Sequence, residues 1–387
     1  MTRVVVFGFD AAESSQIRRI NSLVQTGHDV VAFTMRRTNM NVDFQPSWKN
    51  IHLFNVPNEQ LFRRMLILLL SMFKIAWHRR EIVTADVLIA RNFDLLLLAQ
   101  VARWLALRPK MPLIYECLDI HGSFSSPSRK GRAFRAIERR LLGHIDLLVV
   151  SSPGFIDNYF KPLQGYHGPV ALLENKIWFG DRIPPRRNSA ANVEGGKPWV
   201  IGWVGSLRCD PSFGILLEIA ERMGEAVRIE MHGNVHHHVV PDFEARISGR
   251  SNITYHGPYK YPQGLAEVYS RCDFVWAQDM WLPGANSDWL LPNRIYEASY
   301  FGCLSIASSR TETGRKIERD GLGYTVEVAT ADHLQALLER LGPLEVEQRR
   351  ARLLAAETSS FVYSPSELTR VIEQAVAARD LPQPVPA

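Results

Sequence analysis

The sequence predicts an α/β protein made of two successive doubly wound units. Three observations carry this expectation: short apolar runs alternate with helical patterns, the alternation breaks once near the middle, and it then restarts. The 387 residues suit two domains, since a domain takes roughly 100–200 residues. A hydrophobic content of 46% gives each half enough apolar residues for a core.

In the first half, Val4–Phe7 is an apolar run of the kind buried in a parallel sheet. Ser14–Gln25 follows as a helix, with Gly27 as its stop. Asp29–Thr34 and Asn50–Val56 read as strands, then Val87–Ala90, followed by a Phe93–Leu105 helix. Leu113–Glu116 is a strand that runs into a polar loop. Arg132–Leu142 reads as a helix, Leu147–Val150 as a strand, Pro153–Phe160 as a helix and Val170–Leu173 as the last strand of this half. Between Asn175 and Pro198 the stretch RIPPRRNSAANVEGGKP is rich in Pro, Gly, Arg and Asn, and reads as an exposed linker.

The pattern resumes with strands at Trp199–Val204, Val227–Met231, Ile253–His256, Phe274–Trp276, Leu304–Ala307 and Tyr324–Val326. Helices are expected at Gly214–Met223, Gln263–Arg271, Asn293–Tyr300, Ala331–Leu341, Glu345–Ser359 and Ser366–Ala378. The predicted division is a first domain over 1–180, a linker over 181–198 and a second domain over 199–360. The segment 361–387 is a helix and Pro-rich tail that packs back on the first domain.

The net charge of +5 and a pI near 9.0 fit a phosphate-bearing ligand or an anionic membrane surface, without choosing between them. Zinc-finger spacing, a basic helical arm and an aromatic RNA-binding signature are all missing from the sequence, which excludes nucleic acid as the expected partner. Cys117, Cys209, Cys272 and Cys303 are scattered and fit buried thiols in a reduced, cytoplasmic setting. The opening MTRVVVFGFD reads as a first strand rather than a signal peptide, and no stretch reaches the roughly 20 apolar residues of a spanning helix.

Three pieces of the second half carry a resemblance. WVIGWVGSLRCDPSF is a strand, a glycine turn and a basic residue; YHGPYKYPQGLAEVYSRCDFVWAQ is a strand–Gly unit, a helix and a strand; LLPNRIYEASYFGCLSIAS is the most specific. Together they resemble the donor-binding domain of family 4 glycosyltransferases of the GT-B type. The third resembles that family's Pro-Asn-Lys-x-x-Glu-x-x-x-x-Gly pattern. The resemblance implies two Rossmann-like domains facing a central cleft, a nucleotide-sugar donor, no cofactor and no metal. No Asp-x-Asp pair is evident either.

Each piece has a physical reason. Gly205 lets backbone approach a diphosphate closely, and Arg208 offers a planar fork of donors to its oxygens. Asn293 opens the motif, and Arg294 stands where relatives carry Lys. By the resemblance, Glu297 accepts hydrogen bonds from both ribose hydroxyls, as acidic residues do in dinucleotide folds. A second Glu common eight positions upstream is here Trp289, so Asp288 and Asn286 are the remaining candidates for the donor sugar. Gly302 reads as a helix-terminal glycine.

The first half supplies LIYECLDIHGSF, with Glu116, Asp119 and His121 just past an apolar strand. Asp119 matches the end of a Tyr-x-x-x-Asp segment of some inverting relatives, where it serves as general base. His121 loosely matches a Tyr-x-x-His-Asp-like segment of retaining relatives, where the leaving phosphate helps accept the proton and the His orients the donor. The donor-side resemblance favours retention. A capping role for Asp119 and a structural role for His121 are the competing readings, and Glu116 reads as structural. In the first loop, FDAAESSQIRR, Asp10 and Arg18 are candidate acceptor contacts against helix capping and surface charge.

The segment Leu61–Arg80, LFRRMLILLLSMFKIAWHRR, places Arg63, Ser71, Lys74 and His78 on one side of a helix, with Ile67 spoiling the pattern. It reads either as an interfacial helix on an anionic inner leaflet or as a core helix with charged ends. The membrane reading, by family habit, implies a polyprenyl-linked saccharide acceptor. Three consecutive side chains, His236, His237 and His238, do not converge on one ion from a loop. The alternatives are a GT-B-fold nucleotide-sugar epimerase, a non-catalytic scaffold and a nicotinamide oxidoreductase; the last lacks its Gly-x-Gly-x-x-Gly turn, as GFDAAES shows.

Overall fold

The apolar runs form parallel strands buried on both faces, which is why they read as continuous rather than alternating. The computed structural model describes residues 1–37, 44–55, 61–180, 182–186 and 198–378, with only the backbone of 61–65. The chain divides into two compact units, 1–174 with 364–387, and 175–363.

In the first unit, strands β1 (Arg3–Gly8), β2 (Asp29–Arg36), β3 (Lys49–Asn55), β4 (Val87–Arg91), β5 (Leu113–Cys117), β6 (Leu147–Val150) and β7 (Val170–Leu172) form one sheet, ordered β3-β2-β1-β4-β5-β6-β7. The strand order reverses at β1 and β4, and ligands of such sheets bind outside the carboxyl ends at that point. In the second unit, β8 (Trp199–Leu207), β9 (Val227–Val235), β10 (Ile253–Tyr255), β11 (Phe274–Trp276), β12 (Leu304–Ser308) and β13 (Gly323–Val326) are ordered β10-β9-β8-β11-β12-β13, reversing at β8 and β11.

An aspartate just before one strand fixes the start of its neighbour in three places. Asp86 accepts from the Arg3 N–H at 2.7 Å, Asp146 from Leu113 N–H at 2.8 Å and Asp273 from Val200 N–H at 3.0 Å. Each satisfies a backbone donor at the strand end and so helps set the register of β1–β4, β5–β6 and β8–β11.

The helix Pro365–Ala378 lies against the Ser14–Gln25 helix and β5 and β6 of the first unit, burying Leu368, Val371, Ile372 and Ala375. His28 Nε2 is 3.3 Å from Thr369 Oγ1 across that contact. Residues 175–180, assigned from sequence to the first domain, belong to the second. Ile177 donates its N–H to Phe361 O at 2.9 Å and accepts from Tyr363 N–H at 2.7 Å. Of the expected linker 181–198, residues 181 and 187–197 lie outside the described ones, as do Val56 and the Pro-rich tail. Its described part is anchored on the second unit. Arg186 donates to Leu354 O at 2.7 Å and to Ala356 O at 2.5 Å, and stacks over the Tyr300 ring.

The segment Leu61–Arg80 departs from the sequence reading in two ways. The helix ends at Trp77, and His78 caps a separate short helix, Arg79–Val83. Its polar side chains also turn inward. Ser71 is buried and donates to Ile67 O at 2.7 Å, and Lys74 donates to Leu53 O at 2.7 Å beneath the Phe54 ring. Strand β3 offers Lys74 a carbonyl and an aromatic face, while Leu66, Leu69, Leu70, Phe73 and Trp77 lie on the solvent side and Ile75 is buried. Arg63 and Arg64 lie among residues whose side chains are not described.

Candidate active site

The carboxyl ends of β1, β4 and β5 bring together the candidates of the first unit. β1 ends at Gly8, where a Cβ would lie 2.4 Å from the Gln16 amide and would have to displace that buried side chain from Arg91. Asp10 follows, 2% exposed, and its carboxylate accepts from Ala12 N–H at 3.0 Å. Burial pushes the Asp10 carboxyl above its ordinary value, against the Ala12 hydrogen bond and the pull of Arg37 and Arg36. Arg18 is buried one turn into the following helix, so it is not a surface charge.

At the end of β5, Glu116 is wholly engaged in the fold. Its carboxylate takes Arg19 Nε at 2.7 Å and Arg91 Nε at 2.8 Å, and all three side chains are buried. Arg91 also reaches Gln16 Oε1 at 2.5 Å and Ser15 Oγ at 3.2 Å, while Arg19 donates to Leu173 O at 3.0 Å. Burial raises the Glu116 carboxyl, but the two guanidinium groups outweigh it and hold it below the ordinary range. The expectation of two arginines here was missing from the sequence reading, because Arg19, Arg91 and Glu116 are far apart in the chain.

Past this anchor the chain turns outward. Asp119 and His121 are both exposed. His121 caps the short helix Gly122–Ser125, its Nδ1 accepting from Ser123 N–H at 3.2 Å. With Nδ1 accepting that bond, a ligand would meet the ring through Nε2. The loop is held from behind. Arg135 donates to Phe124 O at 2.6 Å and Ser126 O at 2.8 Å, and Phe93, Phe124 and Phe134 pack ring to ring.

In the second unit, β8 and β9 run side by side to their ends, with Gly205 opposite Gly233. Gly205 has φ 110° and open space where a Cβ would stand. A Cβ on Gly233 would lie 1.7 Å from Gly205 O, so the second glycine is what permits this close approach, and the sequence reading passed over it. Arg208 is exposed just beyond, and its charge helps burial lower the His236 imidazole below its ordinary value. Asn293 and Arg294, both half-buried, open the Asn293–Tyr300 helix, with Arg294 donating to Trp276 O at 3.2 Å.

Glu297 lies one turn further on that helix, 5% exposed, and accepts from Tyr269 O–H at 3.1 Å. Burial first, and the Glu297 carboxylate second, raise the phenols of Tyr269 and Tyr259. Glu297 is therefore no solvated helix residue. Asp288 accepts from Gly284 N–H at 2.8 Å to close its own loop, and Asn286 is buried. Gly302 has φ 75° at the helix terminus.

Among the described residues, Glu230, His232 and His256 bring metal-binding atoms within 4.8 Å of one another. His256 and Glu230 form a short hydrogen-bonded pair, and the His232 and His256 rings stack with centroids 4.3 Å apart and planes at 5°. An ion lies in the plane of each ring that ligates it, and two parallel stacked planes share no such point. As arranged, the group is a hydrogen-bonded stack. Burial and the adjacent His256 lower the His232 imidazole to about 4.

A family model described as "Glycosyl transferase 4-like domain" matches residues 18–176. The chain is 31% identical over 389 residues to the succinoglycan biosynthesis protein ExoL of Rhizobium meliloti (strain 1021), covering 100% of this chain and 96% of that one. Its fold matches sucrose-phosphate synthase from Thermosynechococcus elongatus with a TM-score of 0.69 at 14% identity, covering 98% and 100% of the two chains. It also matches the Anabaena protein Alr3699/HepE in complex with UDP-glucose, with a TM-score of 0.69 at 12% identity, covering 97% and 99%. The structural likenesses at these identities show the fold; the full-length relative and the domain match show the kinship, and the chain belongs to the family 4-like glycosyltransferases of the GT-B fold.

Proposed function

We propose that this glycosyltransferase moves a sugar from a nucleoside-diphosphate donor onto a polyprenyl-linked saccharide during polysaccharide biosynthesis, with retention at the anomeric carbon. The observation that carries the donor assignment is the buried Glu297, held beside Tyr269 on the helix that Asn293 and Arg294 open. A buried carboxylate strengthens every hydrogen bond it accepts, which suits a pair of ribose hydroxyls. Gly205, which Gly233 lets lie close against β9, leaves room for a diphosphate to approach its backbone, and Arg208 and Arg294 supply charge. In support, Alr3699/HepE is known in complex with UDP and UDP-glucose, and ExoL is named for succinoglycan biosynthesis.

In this reading the first unit binds the acceptor through Asp10 and Arg18. His121 Nε2–H donates to a donor-sugar oxygen, and the leaving phosphate accepts the proton of the attacking hydroxyl. The transfer needs no cofactor and no metal. A second reading rests on Asp119, whose exposure at the end of β5 suits a general base in an inverting reaction. Proton NMR of the first-formed product separates them. Retained anomeric configuration with residual turnover in Asp119→Asn supports the first; inversion with turnover abolished by Asp119→Asn supports the second. The enzyme works at the inner face of an anionic membrane, reached through Leu61–Arg80, where a lipid-linked acceptor is presented.

A further inference from the structure

The C-terminal turn of the Phe93–Leu105 helix carries an anomaly that glycosyl transfer does not use. Leu107 has φ 55°, a left-handed conformation that a bulky side chain rarely takes. Its N–H donates to Trp104 O at 3.0 Å, and Arg108 N–H donates to Arg103 O at 3.1 Å. This pair of bonds is the Schellman helix stop, whose left-handed position usually belongs to glycine. Here a leucine occupies it and is 80% exposed. Trp104, one turn earlier, is 72% exposed. The fold holds two large apolar groups in water and strains the backbone at one of them.

These residues adjoin the outward face of the Leu61–Trp77 helix, where Phe73 is 75% and Trp77 86% exposed, with Leu66, Leu69 and Leu70 beside them. Ala76, Arg79, Trp104, Leu105 and Leu107 line one shared depression between the two elements. The surrounding charge is mainly positive, with Glu81 tied to Arg3 and Lys49 and the exposed Asp86 near its edge. Residues 61–80 and 95–115 contain no Asp or Glu. Arg79, Arg80, Arg108 and Lys110 are exposed, and among the described residues none of them is paired with a carboxylate.

We propose that the Leu61–Trp77 face and the Trp104–Leu107 turn form one docking surface for an anionic phospholipid bilayer, with Trp104 and Leu107 as a wedge in the headgroup zone. This rests on the peripheral-membrane reading above and adds a second element to it. Indole rings favour the membrane–water interface, exposed apolar area favours the acyl boundary, and each nearby cation gains from the negative surface potential. A second copy of the chain is a poorer occupant, because two such faces would oppose uncompensated positive charge.

The test is co-sedimentation of the full chain with vesicles of phosphatidylcholine alone or mixed with phosphatidylglycerol. Two variants are compared, Phe73→Ser with Trp77→Ser on the helix, and Trp104→Ser with Leu107→Gly on the turn. The wild type is expected to bind the anionic vesicles with a blue shift in tryptophan emission. The turn variant is expected to bind about tenfold more weakly without a lower melting temperature, since glycine relieves the left-handed strain. If the turn variant binds like the wild type while the helix variant fails, the wedge is wrong and the single-helix reading stands. If the wild type ignores both vesicle types, both readings fall. Self-association that Trp104→Ser breaks, without vesicle binding, would also overturn the proposal.

Discussion

Replacing Glu116 with glutamine removes one charge from a site that holds two buried guanidinium groups. The variant keeps the shape and one acceptor oxygen, but its NH2 sets a donor against one of the two arginine N–H groups. What it loses is the charge that Arg19 meets at 2.7 Å and Arg91 at 2.8 Å. Breaking a buried ion pair from one side costs about 3–5 kcal/mol, because the remaining charge is left uncompensated. The bonds from Arg91 to Gln16 and Ser15, and from Arg19 to Leu173 O, survive and place the expectation near the lower end. For a unit of this size 1 kcal/mol moves the midpoint by about 2–4 °C, so the first unit should melt about 10 °C earlier. The second unit shares none of these contacts and should melt where it did, so differential scanning calorimetry should resolve the effect as one displaced transition. Acid titration gives a second readout. The folded carboxyl lies below its unfolded value near 4.5, so its contribution is present above that value and is lost as pH falls through the folded value. Glu116→Gln should lack that component of acid unfolding. A midpoint within about 1 °C of wild type would show instead that the Glu116 charge contributes nothing net.

Asp119→Asn should lower turnover far more than donor affinity if Asp119 takes the acceptor proton, read as kcat against the donor dissociation constant. Gly233→Ala should unfold or misassemble the β8–β9 edge, because its Cβ would meet Gly205 O at 1.7 Å on a residue with φ 134°; circular dichroism melts check this, and a stable variant would contradict it. His232 titrates near 4 in the folded protein and near 6.5 unfolded. The unfolded chain takes up the proton first, so stability is full above about 6.5, falls as pH drops toward 4 and levels off below. That loss is about 1–3 kcal/mol, and His232→Gln should flatten the slope in urea titrations across this range.

Much of the fold could be read because parallel strands buried on both faces announce themselves as apolar runs. Leu147–Val150 and Phe274–Trp276 have the expected bounds, whereas β8 and β9 run three and four residues further. Those extensions carry Gly205, Ser206, His232 and Asn234, which the ladder pairing holds as strand despite their poor propensity. The Glu312–Asp320 helix escaped because Ile317 is its one large apolar residue. Its ends were nevertheless written in the chain, by Thr311 as the cap and Gly321 at φ 67°. At the candidate site, local patterns pointed to Glu297, Gly205 and the Asp119–His121 loop. The partners of Glu116 escaped because no local pattern links Arg19, Arg91 and Glu116, and only the sheet order brings them together.

The proposed function requires the second unit to bind a nucleoside-diphosphate sugar through Glu297. Isothermal titration of the purified chain with UDP-, GDP- and dTDP-sugars, repeated on Glu297→Ala, tests it most directly. Saturable binding of at least one donor is expected, with a loss of about 2 kcal/mol or more in the variant, as two charge-assisted hydrogen bonds disappear. Undiminished affinity in Glu297→Ala, or no binding of any nucleotide sugar by a folded wild type, would contradict it.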